Sequence, residues 1–382
     1  MGGGSIAGQQ GTLAITTVSD NYDNYVEGSV WFYQPNKIAP PIFAGLFLAS
    51  AVVHAYQTWL YKSWKMTLLV PWGAALMVAG FAIREAGAYH ISNVKLLIAS
   101  TVLLLSGPPV FAGANYFILG RSLYYIPWLS PVYPGRVVTT FIGIDVIIEV
   151  LIGNGAAKVV DTTNDPSQRR AGEILVKTAL ILQAISFTAY ITLLAIWHTR
   201  VKRAGLLSNN LRTVVWVLYA SSILILIRCI YRVVEFFEGY TGQVYTREAY
   251  FWVFDASLML VDTYLLNAFH PGKYFPRKSK IYLARDGETE LKGPGWRDPR
   301  IWYWQIVDPF DVAGLFVKEK NDFWNHPPVQ DAETAVGTEF TKTKAGATAA
   351  EVVSAKAREP AWLGPLGRVL WRKINGRRTG AA

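Results

Sequence analysis

Residues 228–255 read RCIYRVVEFFEGYTGQVYTREAYFWVFD, and they place charged side chains inside two apolar, aromatic-rich segments. Arg228 and Arg232 are one helical turn apart, and Glu235 follows on the same helix face. Asp255 lies early in the second segment. A charge in lipid costs roughly 3 kcal/mol or more. We therefore expect this stretch to form a corner between two membrane helices, where the charges meet.

The composition of the chain is typical of a membrane protein. Of its 382 residues, 52% are hydrophobic and only 17% are charged, and the mean hydropathy is +0.22. The net charge of +10 is distributed over short loops and a tail, which indicates topology signals and argues against nucleic-acid binding. Cys229 is the only cysteine, so an internal disulfide and a cysteine-built metal site are excluded.

Seven stretches are long and apolar enough to span a bilayer, whose core of about 30 Å requires roughly 20 residues per helix. They cover residues 39–61, 66–83, 94–119, 137–159, 174–197, 213–231 and 249–269. Pro71 lies in the second stretch, and Pro108 and Pro109 lie in the third, where prolines can kink a helix without breaking the span. The sequence therefore predicts an all-α, polytopic protein with seven transmembrane helices.

The distribution of lysine and arginine predicts the orientation, because these residues favour cytoplasmic loops. Loops one, three and five contain Lys62, Lys65, Arg121, Arg136, Arg200, Lys202, Arg203 and Arg212. The opposite loops mix basic with acidic residues. We therefore predict an extracellular or lumenal segment at residues 1–38, a seven-helix domain at 39–271 and a cytoplasmic basic tail at 272–382.

The predicted tail differs in character from the rest of the chain, with 19 Lys and Arg against 13 Asp and Glu. Residues 336–359 are rich in Ala, Thr and Lys, which is typical of disorder. Residues 361–378, AWLGPLGRVLWRKINGRR, interleave apolar and basic side chains. This pattern fits an interfacial helix on anionic inner-leaflet lipid, and it fits a solvated basic end equally well.

The rise of an α-helix per residue predicts that Arg228 and Asp255 lie at the same depth in the membrane. At about 1.5 Å per residue, Arg228 lies roughly 22 Å above the cytoplasmic start of span six, and Asp255 lies roughly 9 Å below the outer boundary of span seven. We therefore expect an ion pair between them. Together with Arg232 and Glu235, this pair has two interpretations: a brace that fixes helix register, or a gate that takes part in substrate handling.

A second group of polar residues lies closer to the cytoplasmic side. Asp145 and Glu149 are one turn apart in span four, Asp262 is two turns beyond Asp255, and Gln183 is near the centre of span five. No arginine is evident at the depth of the three acids, and an uncompensated intramembrane acid is a candidate functional group. We expect these residues to line a pathway for a cation or a cationic amphiphile, although Gln183 also fits a hydrogen bond between helices.

The block IRCIYRVVEFFEGYTGQVYTREAYFWVFDASLMLVDTYLLNAFHPGKY, residues 227–274, resembles the signature of the fungal RTA-like proteins, also called the lipid-translocating exporter family. The matching positions are Arg228, Tyr231, Arg232, Glu235, Gly239, Gly242, Glu248, Asp255, His270, Pro271 and Gly272. Weaker similarity covers residues 40–275, including a Gly-Phe-x-x-Arg element that ends at Arg84. Glu149 departs from the pattern, because many relatives have a glutamine there.

The resemblance implies seven membrane helices, a plasma-membrane or endomembrane location in fungi, and roles in sphingoid-base export, resistance to sterol-related drugs and stress response. We expect the plasma membrane. The leading hypothesis is a translocator of lipids or of sphingoid-base or sterol-like amphiphiles. The alternative is a seven-helix sensor or receptor that signals through its cytoplasmic tail.

Enzyme and cofactor functions are not expected from the sequence. Span seven has no lysine for a retinal Schiff base, and no nucleotide-binding motif of the Walker type occurs. The histidines do not converge at one depth to bind zinc, and His54 is predicted to be alone in its span. They are His54, His90, His198, His270 and His326. The smaller motifs have local explanations: His270, Pro271 and Gly272 end span seven, and Gly239 and Gly242 permit a tight outer loop.

Overall fold

The computed structural model describes residues 26–295, except for residues 27, 32, 133, 161–164, 240–241, 277–279 and 294. The predictions for residues 296–382, including the disordered segment, the interfacial helix and His326, lie outside the described residues. The same holds for most of the predicted segment 1–38.

Seven helices in the described part of the chain are long and apolar enough to cross a membrane, which confirms the predicted fold class. We number them in chain order. They are α1 Ala39–Tyr61, α2 Leu69–Tyr89, α3 Val94–Tyr125, α4 Pro134–Val160, α5 Pro166–Arg203, α6 Asn209–Glu238 and α7 Glu248–Lys273. The end of the bundle predicted to face outward is called the outer end below.

The helices form a closed series in which each packs against the next, and α7 packs back against α1. Contacts between α3 and α6 cross the interior of this series. These two helices accordingly bury the largest shares of their most apolar windows, 44% for α3 and 50% for α6. Side chains on α3 and α6 are therefore the ones best placed to meet those of several other helices.

Most of the helices extend beyond the apolar stretches that predicted them. Arg121 was predicted to lie in loop three, but α3 continues past it, and Arg121 is 2% exposed. Arg84 likewise lies inside α2 and is 5% exposed. A stretch identified by hydropathy ends at the first charged residues, whereas a helix ends where its backbone is capped. At α6, for example, the Ser208 side chain accepts a backbone N–H at the start, and Gly239, with φ of 78°, ends the helix.

The helix α7 is not regular along its length. It begins as Glu248–Phe251, passes through a π-helical turn at Trp252–Ser257, continues as Leu258–Ala268 and ends in a 3-10 turn at Pro271–Lys273. Asp255 lies inside the π-helical turn. Such turns insert a residue and change the direction in which neighbouring side chains point. The pair of prolines in α3, by contrast, lies inside a helix that continues on both sides.

A short β-hairpin follows α7, and the sequence analysis did not predict it. Strands Ile281–Leu283 and Glu290–Lys292 pair antiparallel. In the connecting turn the Asp286 carboxylate accepts two backbone N–H groups and the Thr289 hydroxyl, and these hydrogen bonds lower the pKa of Asp286. Three-residue strands are too short to give a recognisable alternating pattern.

The hairpin binds the end of α3 that lies opposite the outer end of the bundle. The Arg121 guanidinium donates to the Ile281 carbonyl at 2.9 Å, and the Tyr124 hydroxyl accepts the Gly295 N–H at 3.0 Å. Arg121, predicted as a topology signal, therefore joins the membrane domain to the chain that follows it.

Helices α4 and α5 approach each other closely at a pair of glycines. A Cβ atom placed on Gly155 would lie 2.7 Å from the Gly172 carbonyl oxygen, and one on Gly172 would lie 2.6 Å from the Gly155 oxygen. Neither oxygen can move without moving its helix. Small residues at such a contact allow the two backbones to meet, as is common between membrane helices.

We predict that Gly155→Ala separates α4 from α5 and lowers the free energy of unfolding by about 1–3 kcal/mol, as overpacking does. Unfolding of the purified protein in mixed micelles by a denaturing detergent measures this change. Gly153→Ala is the matched control, because a Cβ atom there meets nothing within 4 Å. Equal stability of the two variants would contradict the close contact.

Candidate functional site

Four charged side chains form a buried cluster at the outer end of α6 and α7, which we call the outer ion cluster: Arg228, Arg232, Glu235 and Asp255. Arg228 Nε donates to Asp255 Oδ1 at 2.6 Å, and Arg232 Nη2 donates to the other oxygen of Asp255. Arg232 Nη1 donates to Glu235 Oε2 at 2.7 Å. The predicted pairing of Arg228 with Asp255 is present, and the structure adds Arg232 as a second partner.

The outer ion cluster contains two positive and two negative side chains, so its charges balance. Arg228 and Asp255 are both 0% exposed. Glu235 is 6% exposed, and the Tyr231 hydroxyl donates to it at 3.0 Å. Removing one partner from a buried charge pair leaves the other charge uncompensated. This lowers the free energy of unfolding far more than the loss of a surface pair does.

A second ion pair, between the buried Arg84 and the half-buried Glu248, joins α2 to α7 and to the preceding N-terminal segment. Arg84 Nη2 donates to Glu248 Oε1 at 2.8 Å and to the Tyr33 hydroxyl at 3.0 Å. The Asn36 N–H donates to the other Glu248 oxygen at 2.9 Å. Burial raises the pKa of Tyr33, so its hydroxyl remains neutral. Both oxygens of Glu248 therefore accept hydrogen bonds from other parts of the protein.

The described part of the N-terminal segment packs closely against α2. Trp31 is 1% exposed, and a Cβ atom on Gly87 would lie 2.5 Å from its indole ring. The Val30 N–H donates to the Ile91 carbonyl at 2.9 Å in the loop after α2. This segment is therefore a structural part of the outer end.

The acids predicted to line a pathway are of two kinds in the structure. Asp145 and Glu149 on α4 are half-buried, whereas Asp262 on α7 is 0% exposed. Gln183 on α5 is 7% exposed. Only the two α4 acids are open to a molecule that approaches from outside the bundle.

The surroundings of the α4 acids correct one expectation. The Tyr116 hydroxyl of α3 lies beside Asp145, and Ser106 lies beside Glu149. Arg228 is close enough to Glu149 to attract its carboxylate. The expectation that no arginine accompanies these acids is therefore wrong for Glu149, because α6 brings Arg228 between α7 and α4. No salt bridge of Asp145 or Asp262 occurs among the residues that the structure describes.

Asp262 belongs to a polar cluster in the bundle interior that the sequence analysis missed. The Asn115 amide of α3 donates to Ser221 of α6 at 2.7 Å, and the Tyr190 hydroxyl of α5 donates to the Asn115 carbonyl at 3.1 Å. The Ser221 hydroxyl lies beside Asp262. Nevertheless, neither Asp262 oxygen has a hydrogen-bond partner of good geometry in the described part of the chain. The amide of Asn115, inside the third apolar stretch, was the sequence signal for this cluster.

The histidine prediction was wrong for one pair at the opposite end. The rings of His54 on α1 and His270 on α7 are 5.0 Å apart, and His54 Nδ1 is hydrogen-bonded to Asn267 Oδ1. The two residues meet because α7 packs against α1. No group of three His, Cys, Asp or Glu suited to a metal ion occurs among the described residues.

The glycines and the proline motif of the signature have local structural roles. The His270 ring accepts the Gly272 N–H at 3.2 Å, in the turn that ends α7. A Cβ atom on Gly272 would lie 2.9 Å from Tyr61 at the end of α1. Gly239 needs its positive φ, and the Gly242 N–H donates to the Gly239 carbonyl at 3.0 Å. These contacts agree with the predicted helix end at Pro271 and the predicted tight outer loop.

We predict that Asp255→Asn lowers the free energy of unfolding by about 3–5 kcal/mol, because one buried arginine loses its counter-charge. Detergent-induced unfolding of the purified protein gives this value. The double variant Asp255→Asn with Arg228→Gln restores the charge balance and should be more stable than the single variant. Glu238→Gln, at an exposed position on the same helix, is the control. A double variant less stable than Asp255→Asn would contradict charge balance as the cause.

Comparisons with known proteins show which family and which relatives this chain is similar to. A profile of the family described as "RTA1 like protein" matches residues 70–278. The "Lipid-translocating exporter-like protein RTA1" of Leptosphaeria maculans is 37% identical over 84% of this chain and 66% of its own length, so this chain spans just under two thirds of that relative. The protein of the same name in Ajellomyces capsulatus is 36% identical over 72% of this chain and 91% of its own length.

A more distant relative has a more specific name. The "Sphingoid long-chain base transporter RSB1" of Saccharomyces cerevisiae is 24% identical over 62% of this chain and 72% of its own length. No solved structure matches this chain. Seven apolar helices and relatives named as transporters identify the chain as a multi-pass membrane protein.

Proposed function

We propose, from the premise that this chain belongs to the RTA1-like family, that it translocates a lipid or a similar amphiphile across a fungal membrane. The observation that carries the proposal is the position of Asp145 and Glu149. Both are half-buried acids on a helix whose adjacent side chains, Val146, Ile147 and Val150, are 56–58% exposed and apolar. A polar head and an apolar tail would each find a suitable surface there.

The charge of the site favours a cationic headgroup. A protonated amine can donate charge-assisted hydrogen bonds to two carboxylates one turn apart, while its hydrocarbon tail stays against the lipid-facing side of α4. A sphingoid base has this combination of amine and long tail. The name of the Saccharomyces cerevisiae relative supports this substrate class, and a sterol-like amphiphile is the broader alternative.

The interior polar groups supply a route from α4 into the bundle. Tyr116, beside Asp145, directly follows Asn115 in α3, and Asn115 leads through Ser221 to the acid Asp262. In this proposal a headgroup passes from the accessible acids to the enclosed one when the helices rearrange, and Gln183 contributes a further polar group on α5. The outer ion cluster acts as a brace that keeps α6 and α7 together during this movement.

The same proposal covers the setting of the protein. The membrane is the plasma membrane, with residues 1–38 outside, the seven-helix domain at 39–271 and the tail 272–382 in the cytoplasm, where its basic end contacts anionic lipid. Export of membrane-active compounds would connect the protein to drug and lipid stress. We expect no catalytic activity and no cofactor.

We predict that Asp145→Asn, alone or with Glu149→Gln, lowers the initial rate of flip of a fluorescent sphingoid base about ten-fold or more, because a charge-assisted contact is lost. Proteoliposomes that contain the purified full chain give the rate. The exposed Glu173→Gln on α5 is the control for surface charge. An N-acylated analogue, which has no charge, should move slowly with the parental protein.

Unchanged flip by Asp145→Asn with Glu149→Gln would refute the role of the α4 acids. Absence of flip by the parental protein, at normal abundance, would refute translocation itself.

A truncation separates translocation from the alternative of a signalling receptor. The cut must lie beyond the hairpin, because that hairpin binds α3 through Arg121. We predict that removal of residues 329–382 leaves flip of the sphingoid base within about two-fold of the parental rate, since the helices and the hairpin are retained. Loss of a cellular stress response without any effect on flip would instead indicate a signalling role of the tail.

A further inference from the structure

A cavity at the predicted cytoplasmic end of α5 and α6 has no role in the proposed pathway. It has a volume of about 450 Å³. It lies around the loop that joins the two helices, and its lining residues are His198, Lys202, Gly205, Leu207, Arg212 and Trp216. This volume is within the range of about 300–1,000 Å³ that accommodates small ligands.

The lining of this cavity, which we call the α5–α6 cavity, is basic. Lys202 and Arg212 are both exposed, and neither has a salt bridge in the part of the chain that the structure describes. None of the six lining residues is acidic. The His198 ring adds a polar group and is held at 3.3 Å from the Tyr219 hydroxyl. An anionic ligand would therefore find two uncompensated positive charges and no opposing negative charge in the lining.

The position of the cavity indicates which anion meets it. Trp216 is 63% exposed on α6, two turns beyond Ser208 at the helix start, and tryptophan concentrates where headgroups meet the hydrocarbon core. Leu207 adds an apolar wall. The ligand therefore approaches from the membrane boundary. Basic pockets between helices at the cytoplasmic side are typical binding places for acidic lipid headgroups, because the inner leaflet carries the anionic lipids.

We propose that the α5–α6 cavity binds the phosphate-bearing headgroup of an acidic phospholipid, with Lys202 and Arg212 as its cationic partners and Trp216 against the start of the acyl chains. The site is separate from the α4 acids in charge and in place, and it does not depend on translocation. It would hold the loop between α5 and α6 against the inner leaflet. Gly205, with φ of 72°, gives this loop its turn.

The test measures binding of a fluorescent phosphatidic acid to the purified full chain in nanodiscs of phosphatidylcholine. At roughly 1 kcal/mol for each basic residue, Lys202→Gln with Arg212→Gln should weaken binding about 30-fold. The charge-conserving pair Lys202→Arg with Arg212→Lys should retain most of the affinity. Lys62→Gln with Lys65→Gln, which removes the same charge from another loop on the same side, should have little effect.

Two outcomes would overturn the proposal. Equal weakening by the Lys62 and Lys65 changes would mean that only the general surface charge attracts the lipid. Competition by inorganic phosphate at the concentration at which phosphatidic acid binds would mean that the cavity recognises a free anion and no lipid. Because the chain has 14 tryptophans, the signal of occupancy is the part of the tryptophan fluorescence that Trp216→Phe removes, and it should respond to the acidic lipid and not to phosphatidylcholine.

Discussion

Asp255 is fully buried, and it accepts hydrogen bonds from two arginines of α6 while Glu235 balances the second of them. Inside a membrane domain little water is available to share such charges, so a partner of opposite charge stabilises them strongly. The outer ion cluster therefore fixes how α6 and α7 lie together. The Arg84 and Glu248 pair extends the same constraint to α2.

The helix bundle contains two kinds of charged residue, which differ in whether they have a partner of opposite charge. The charges of the outer end have partners of opposite charge, and the pairs of Asp255 and of Glu248 connect neighbouring helices. Asp145 and Asp262 have no salt bridge among the described residues, and Asp145 is half-buried on a helix with exposed apolar neighbours. Binding a charged headgroup requires a charge that is not already satisfied within the protein. In the proposed function the arginines of the outer ion cluster therefore act as a brace, and the α4 acids bind the headgroup.

Membrane depths estimated from the helix rise predicted the contact of Arg228 with Asp255, because both residues lie inside recognisable spans that are joined by a short loop. It failed for Arg84 and Glu248, which are 164 residues apart and lie outside or at the ends of the apolar stretches. It also failed for His54 and His270, because which distant helices become neighbours is not encoded in the depth of one residue. Only the closure of α7 onto α1 brings those rings together.

The sequence by itself determined the number of membrane helices, the fold class and the residues of the family signature, because hydropathy over about 20 residues is a local property. Only the tertiary structure decided which acids are accessible, which are enclosed and which have an arginine beside them. Accessibility depends on the rotation of each helix about its axis and on its neighbours. Contacts between residues far apart in the chain, such as those of Asn115 with Ser221, set that rotation.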